Sequence, residues 1–301
     1  MQLTILGNGS GGAFQGRNYT AQMLHAGNQY FLIDCGEGTQ QQTWRLRLPL
    51  DKVQQVFISH LHGDHVFGLI GVLTSFALKS RTAGIEIFAP KGLQELVDVH
   101  HRICGVRIEY PLTIHEVDTE VSKVVFENKN LEVWTIPLHH RVPTTGWLFR
   151  EKPKPNHILP EKIEQYQIPF SKIPDVKDGA DFTLPDGSLI PNAELTAPAA
   201  PPKSYAFCSD TAFHPPVAEC VRGVDLLYHE GTFVEAQRAY AEISFHSTAG
   251  DAAEIARRAG AKRLLLGHFS NRYDDLAGHL AEAQAIFPNT ALAEEGKRID
   301  I

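Results

Sequence analysis

The sequence predicts an α/β protein in which a two-layered sheet is covered by helices on the outside. Three observations carry this. Strands and helices alternate in two stretches that flank a different middle. Both stretches begin with strands and then take strand and helix in turn, a pattern that packs as a layered sheet under helices. Four apolar strand runs also stop at residues able to bind a transition metal, and open α/β sheets hold ligands beyond the carboxyl ends of their strands.

In order, residues 3–6, 23–25 and 30–33 read as short strands broken by glycine turns. An apolar run at 53–59 precedes a helical stretch from 66 to about 80, a strand at 85–89 and a helix around 93–103. Strands at 124–127 and 131–137 complete the first stretch. Residues 150–203 break the rhythm: they hold ten of the 18 prolines and little periodic apolar signal, so they read as an insertion. Alternation resumes with strands at 204–208 and 226–228, a helix at 249–258, a strand at 263–266 and a helix at 276–287. Thr248, three residues before Asp251, is a weak capping-box signal for the helix at 249.

Composition narrows the class. The 301 residues are 43% hydrophobic and 21% charged, enough for a large core or two small ones and unlike disordered or fibrous chains. No apolar run approaches membrane-spanning length and the opening lacks a basic leader, so a cytoplasmic protein without a membrane anchor is expected. Cys35, Cys104, Cys208 and Cys220 lie far apart without a C-x-x-C pair and read as buried small residues, not as a disulfide framework or a thiolate metal knuckle. A net charge of −7 argues against a protein that coats nucleic acid generally, while leaving room for a local basic patch. The 15 histidines direct attention to metal binding.

The run at 53–59 stops at His60-Leu61-His62-Gly63-Asp64-His65. His60 and His62 are two apart, so in extended backbone both rings point the same way and can reach one ion. Asp64 and His65 follow on a turn that Gly63 permits and can face a second ion. Paired metals suit hydrolysis, because they generate hydroxide near neutral pH and hold the scissile oxygen between them. Three later strands lead to His139-His140, to Asp210 through Ser209, and to His268 through Gly267. His140, Asp210 and His268 are weak signals singly; what raises them is their shared place at strand ends. Three histidines and a carboxylate around one ion, with that carboxylate bridging to a second, suit zinc, or manganese. The alternation of the preceding strand does not choose between His139 and His140.

Two further features bear on chemistry. Gly7-Asn8-Gly9-Ser10-Gly11-Gly12 formally matches a dinucleotide fingerprint with Asp34 some way on, but residues 13–20 show no helical stripe to follow it, so a turn beside the metal site is expected. Glu230, after the strand at 226–228, and His246, before the helix at 249, form a candidate acid–base pair, since an imidazole held by a carboxylate can protonate a leaving oxygen.

Taken together, the LGNGSG turn, Arg17-Asn18, DCGEGTQ (34–40), SHLHGDHVFGL (59–69), Ser209-Asp210-Thr211, HEGT (229–232), HST (246–248) and GHFSNRY (267–273) resemble the metallo-β-lactamase superfamily, and within it the ribonuclease Z family, over nearly the whole chain. The resemblance implies an αββα sandwich, two mixed sheets flanked by helices, as a single domain over 1–301, and it selects His140. It implies one zinc on His60, His62 and His140, a second on Asp64, His65 and His268, and Asp210 as the bridge, giving two zinc ions per chain. It further implies Asp64 as general base and His246, oriented by Glu230, as helper of the leaving group. Expected activity is removal of the 3′ trailer from precursor tRNA, leaving a 3′-hydroxyl on the tRNA and a 5′-phosphate on the trailer. A homodimer is implied, as is a projecting substrate-binding arm, placed at 152–180. Over 150–180 six basic residues oppose five acidic ones, and the Gly-Pro-rich basic tip usual in the family is missing. Gly231 stands where the family commonly has alanine.

The alternative is a dinuclear zinc phosphodiesterase for small nucleotides or other phosphodiesters, which an arm unable to hold tRNA would favour. A catalytically dead RNA-binding scaffold would require a missing ligand, and none of the seven is missing.

Overall fold

A computed structural model describes residues 1–12 and 16–301. The chain divides into two compact units, one formed by Met1–Arg150 with Lys203–Ile301 and the other by Glu151–Pro202.

Among the described residues the first unit contains two seven-stranded sheets. One runs, in spatial order, Arg298–Asp300, Gln2–Gly7, Ala21–Ala26, Gln29–Cys35, Val53–Phe57, Ile85–Pro90 and Leu112–Val117. Its first four strands pair antiparallel and the rest parallel. The other runs Thr290–Leu292, Leu264–Gly267, Leu226–Glu230, Ser204–Cys208, Thr145–Glu151, Leu131–Pro137 and Val124–Glu127, parallel across its first four. The expected pair of mixed sheets is therefore present.

Side-chain alternation explains the layering. Phe31, Ile33, Phe57, Tyr205, Phe207 and Tyr228 point into one cluster shared by the two sheets. Their chain neighbours point the opposite way: Leu32, Val56 and Ile58 pack in a second cluster with the Gly63–Leu78 helix, and Ala206, Cys208 and Leu227 in a third with the Ala249–Ala259 helix. Strands covered on both faces read as continuous apolar runs, which is why these were legible. Between the sheets Phe57 stacks on Phe88 at 4.9 Å and meets Trp147 edge-on at 5.2 Å. Truncating Phe57 to alanine would cost about 3–5 kcal/mol through lost transfer energy and a cavity.

The Gly63–Leu78 helix buries Val66, Leu69, Val72, Leu73 and Phe76, a stripe at helical spacing. Gly68 lets it lie close to the first sheet, since a Cβ there would stand 2.1 Å from the Gly36 carbonyl oxygen. The Ala249–Ala259 helix opens on the expected capping box: Thr248 Oγ1 accepts from Asp251 N at 3.1 Å, and Asp251 Oδ2 accepts from Thr248 N at 3.0 Å.

Several elements escaped the sequence reading. The Thr39–Arg45 helix has no apolar stripe; Gln42 faces inward and donates from Nε2 to the Leu6 carbonyl at 2.9 Å. Leu112–Val117 alternates with polar residues because it is an outermost strand. Thr290–Leu292 and Arg298–Asp300 are three residues each, too short to show a period.

The second unit has its own small core. Ile168, Val176 and Leu195 are buried, with Ile158, Ile163, Ile173 and Phe182 packed against them. Asn192 Nδ2 donates to the carbonyls of Val176 at 2.6 Å and Ala180 at 2.8 Å. The segment 152–180 is thus completed by residues up to Pro202.

Candidate metal centre

Each expected ligand sits just past a strand. His60 follows Val53–Phe57, and His62, in extended backbone, leads into the Gly63–Leu78 helix that carries Asp64 and His65 in its first turn. His140 follows Leu131–Pro137, Asp210 follows Ser204–Cys208, and His268 follows Leu264–Gly267. These ends converge on a cavity of about 490 Å³ lined by His62, Asp64, Asp210, His246 and His268. The glycine-rich turn contributes Ser10 and Gly11 to the same wall, as a turn beside the site was expected to do. No helix starts at 8–12 or 16–20; the reading of 13–15 lies outside the described residues.

Two donor groups meet at Asp210. In the first, His60 Nε2 lies 3.0 Å from His62 Nδ1, which lies 3.4 Å from His140 Nε2. Asp210 Oδ2 is 3.5 Å from His60 Nε2 and 3.8 Å from His140 Nε2. In the second, His65 Nε2 and His268 Nε2 are 3.2 Å apart, and Asp64 Oδ2 stands 3.5 and 3.6 Å from them. The other oxygen of Asp210, Oδ1, is 3.3 Å from His65 Nε2 and 3.2 Å from His268 Nε2. Ligands about 2.0–2.1 Å from a tetrahedral ion stand about 3.3 Å from one another, so these spacings fit ion coordination.

The far side of the rings fixes their orientation. His65 Nδ1 is 2.7 Å from Asp34 Oδ2, and Asp34 also accepts from Ser59 N at 2.7 Å and Ser59 Oγ at 2.8 Å. His140 Nδ1 faces the Phe245 carbonyl at 2.9 Å, and His268 Nδ1 faces Thr232 Oγ1 at 2.9 Å. An acceptor at one ring nitrogen leaves the lone pair of the other aimed at the cavity. Asp34 and His268 adopt left-handed backbone, at φ 53° and 58°. Such strain costs on the order of 1–3 kcal/mol and gathers at functional sites.

Charge separates the two groups: burial disfavours a proton on His65, but the Asp210, Asp64 and Asp34 carboxylates around it raise its proton affinity well above the usual imidazole range. Burial lowers the proton affinity of His60, His62 and His140, so these rings are neutral and able to ligate. Burial pushes Asp210 upward, but His268, His65 and His60 hold it well below the carboxylate range. Asp64 is likewise lowered, against its burial, by His65 and His268. Asp34, Asp210 and Glu230 are all buried around the donors. So much buried negative charge calls for cations. The histidine–aspartate cluster has the donor set of a metal-binding site.

Beside it, Glu230 accepts from Thr211 N at 2.8 Å, from Thr232 Oγ1 at 2.5 Å and from Thr232 N at 3.2 Å, and its Oε1 is 2.8 Å from His246 Nδ1. Burial pulls the His246 ring down, but the Glu230 carboxylate pushes it up to about 9.

Similarity to known proteins bears on this site. Residues 1–133 match the family model described as anti-Pycsar protein Apyc1, and residues 195–269 match that of the beta-lactamase superfamily domain. The chain is 44% identical over 300 residues to Ribonuclease Z of Bacteroides fragilis, covering 100% of this chain and 99% of that protein. It is 44% identical over 298 residues to Ribonuclease Z of Porphyromonas gingivalis, covering 99% and 98%. The chain belongs to the ribonuclease Z family. Its metallo-β-lactamase fold is shared with the crystal structure of human tRNase Z, short form, at a TM-score of 0.72 and 25% identity over 100% of this chain and 99% of that one.

Within this ribonuclease Z fold all seven expected ligands fall in the two groups, and His246 and Glu230 form the expected pair. His139 stands outside them, its ring 5.9 Å from that of His214. Sequence reasoning missed Asp34 as a support of His65, although it too ends an apolar strand, Gln29–Cys35. It also missed Thr232, whose hydroxyl carries no signal of its own, and the exposed Arg141 and Arg272 on the cavity wall.

Proposed function

We propose that this chain is a zinc-dependent endoribonuclease that removes the 3′ trailer from precursor tRNA in the cytoplasm. The observation that carries the reading is the pair of donor groups meeting at Asp210, in a chain 44% identical along its length to proteins named Ribonuclease Z. His60, His62 and His140 would hold one zinc, Asp64, His65 and His268 the other, and Asp210 would join them; manganese suits the same oxygen- and nitrogen-rich donors. The bound ions supply Lewis-acid charge and a water made acidic enough to attack phosphorus near neutral pH.

The chain's own groups do the rest. Asp64 takes the proton of the attacking water. His246 keeps Nδ1 on Glu230 and delivers a proton to the departing 3′ oxygen, so the tRNA leaves with a 3′-hydroxyl and the trailer with a 5′-phosphate. Arg141 and Arg272, on the cavity wall, meet the phosphate charges of the RNA. The unit Glu151–Pro202 serves as the substrate-binding arm. Pairing of two copies through Trp44, Phe67 and Leu78 would cover apolar side chains that are 82%, 61% and 81% exposed on two helices. Among the described residues no helix is long and apolar enough to cross a membrane.

The test is incubation of the purified protein with a trailer-bearing precursor tRNA, with both new ends mapped and metal measured by elemental analysis. Cleavage at the trailer junction with about two ions per chain is expected. Cleavage of a small chromogenic phosphodiester alone would assign the site to small substrates, and less than one ion after zinc reconstitution would reject the paired site. His62→Ala should lower metal content and turnover together.

A further inference from the structure

We infer that Thr232 is a positioning residue through which Glu230 sets the tautomer of His268, so that one buried carboxylate governs both the proton-donating histidine and a ligand of the second ion. The inference rests on the reading of His268 as a ligand. The rings differ in what their Nδ1 atoms face. His65 and His140 turn Nδ1 toward groups that can only accept a hydrogen bond, the Asp34 carboxylate and the Phe245 carbonyl. His268 turns Nδ1 toward a hydroxyl, Thr232 Oγ1 at 2.9 Å, which can donate or accept. By itself that contact leaves the ring free to carry its proton on either nitrogen. With the proton on Nε2, the lone pair facing the cavity would be lost.

Glu230 removes the choice. A hydroxyl has one proton, and Thr232 Oγ1 lies 2.5 Å from Glu230 Oε2, so its proton goes to the carboxylate. The remaining lone pairs face His268 Nδ1, which must then be the protonated nitrogen. The backbone N–H of Thr232 also points at Glu230 Oε2, at 3.2 Å, fixing the residue at both ends. His246 does not compete: its Nδ1 is 3.5 Å from the hydroxyl and 2.8 Å from Glu230 Oε1. Glu230, Thr232 and His268 are all buried, at 0%, 2% and 1% exposure, so water does not compete for these bonds. Glu230 thus holds His246 directly and His268 through one hydroxyl.

Thr232→Val keeps the shape and removes the hydroxyl, whereas Thr232→Ser keeps the hydroxyl. Zinc affinity is read by chelator competition on both variants and on the parent, with His268→Ala as control. Loss of a supporting hydrogen bond on a ligand histidine weakens binding about 10–100-fold. Thr232→Val is therefore expected to weaken the second zinc by that range, with Thr232→Ser restoring it. Imidazole ¹⁵N spectra of the metal-free parent should show His268 protonated at Nδ1, and Thr232→Val should admit the Nε2 form. These spectra also decide the matter if Thr232→Val folds poorly. If His268→Ala abolishes the second zinc while Thr232→Val binds it like the parent, or if metal-free His268 carries its proton on Nε2, the inference is overturned. If His268→Ala itself leaves both ions in place, the assignment of the ligands is what fails.

Discussion

Asp34 Oδ2 lies 2.7 Å from Nδ1 of His65, with both side chains wholly buried. The carboxylate raises the electron density of a ring whose other nitrogen faces the second donor group. Asp34→Asn should therefore retain the fold and weaken metal binding about 10–100-fold, measured by chelator competition. Asp34→Ala should do more harm, since it strips partners from His65 and Ser59 inside the protein. Breaking such a buried pair costs about 3–5 kcal/mol, which denaturant unfolding will register.

The proton held by His246 makes the alkaline side of the pH–rate profile informative. Burial opposes the charged ring, but the Glu230 carboxylate raises its proton affinity to about 9. On the proposed role of His246 as proton donor, its contribution falls as pH rises through that value. Glu230→Gln removes the charge that holds the proton, so the alkaline limb of single-turnover cleavage should move to lower pH. His246→Ala should abolish that limb and slow cleavage by about 10²–10⁴-fold.

His279 sets an acid limit on stability rather than on catalysis. Its ring is buried on the Ala277–Ile286 helix, edge-on to Tyr273 at 4.5 Å and to Phe269 at 5.4 Å. Burial, aided by the Arg17 charge and opposed by the Thr232 carbonyl, lowers it to about 4. The unfolded chain takes up this proton near pH 6.5 and the folded chain only near 4, so folding stability falls as pH drops through that window. The loss amounts to about 3 kcal/mol by pH 4. Equilibrium unfolding between pH 7 and 4 should show it, and His279→Leu should flatten that part of the curve.

The second unit should be separable from the chemistry. Replacing Glu151–Pro202 by a short Gly/Ser linker removes a core of its own, Ile168, Val176 and Leu195, and leaves the three clusters of the first unit intact. Hydrolysis of a small phosphodiester should persist, while cleavage of precursor tRNA falls through weaker binding. Five lysines face eight carboxylates across the unit, so few phosphates can be neutralised there. The salt dependence of tRNA binding should therefore change little. Equal loss of both activities would mean that the metal centre needs the unit.

The centre was legible because its donors follow strands rich in buried apolar residues, whose ends are easy to find. His60 to His65 are also close enough in sequence for spacing to report geometry. Asp34 obeys the same strand-end rule, yet its spacing from the glycine-rich turn suggests only the acid of a dinucleotide fingerprint and gives no sign of a support for His65. Thr232 was invisible for a different reason: its role depends on a carboxylate and a ring that only the fold brings together. The core of the second unit escaped notice because it is assembled from single apolar residues on elements of two to seven residues, where no period can build up.

The second donor group joins residues 203 positions apart, His65 and His268, whereas His62 and His140 are separated by 78. During synthesis the three imidazoles of the first group leave the ribosome well before Asp210, and His268 follows later still. A nascent chain can therefore gather the first three imidazoles early, but the second donor group and its approach to Asp210 wait until the strand Leu264–Gly267 has been made and has docked. Incomplete translation products thus lack the second donor group, and on the proposed function a truncated chain that captured a metal on the first group alone is expected to leave RNA uncut.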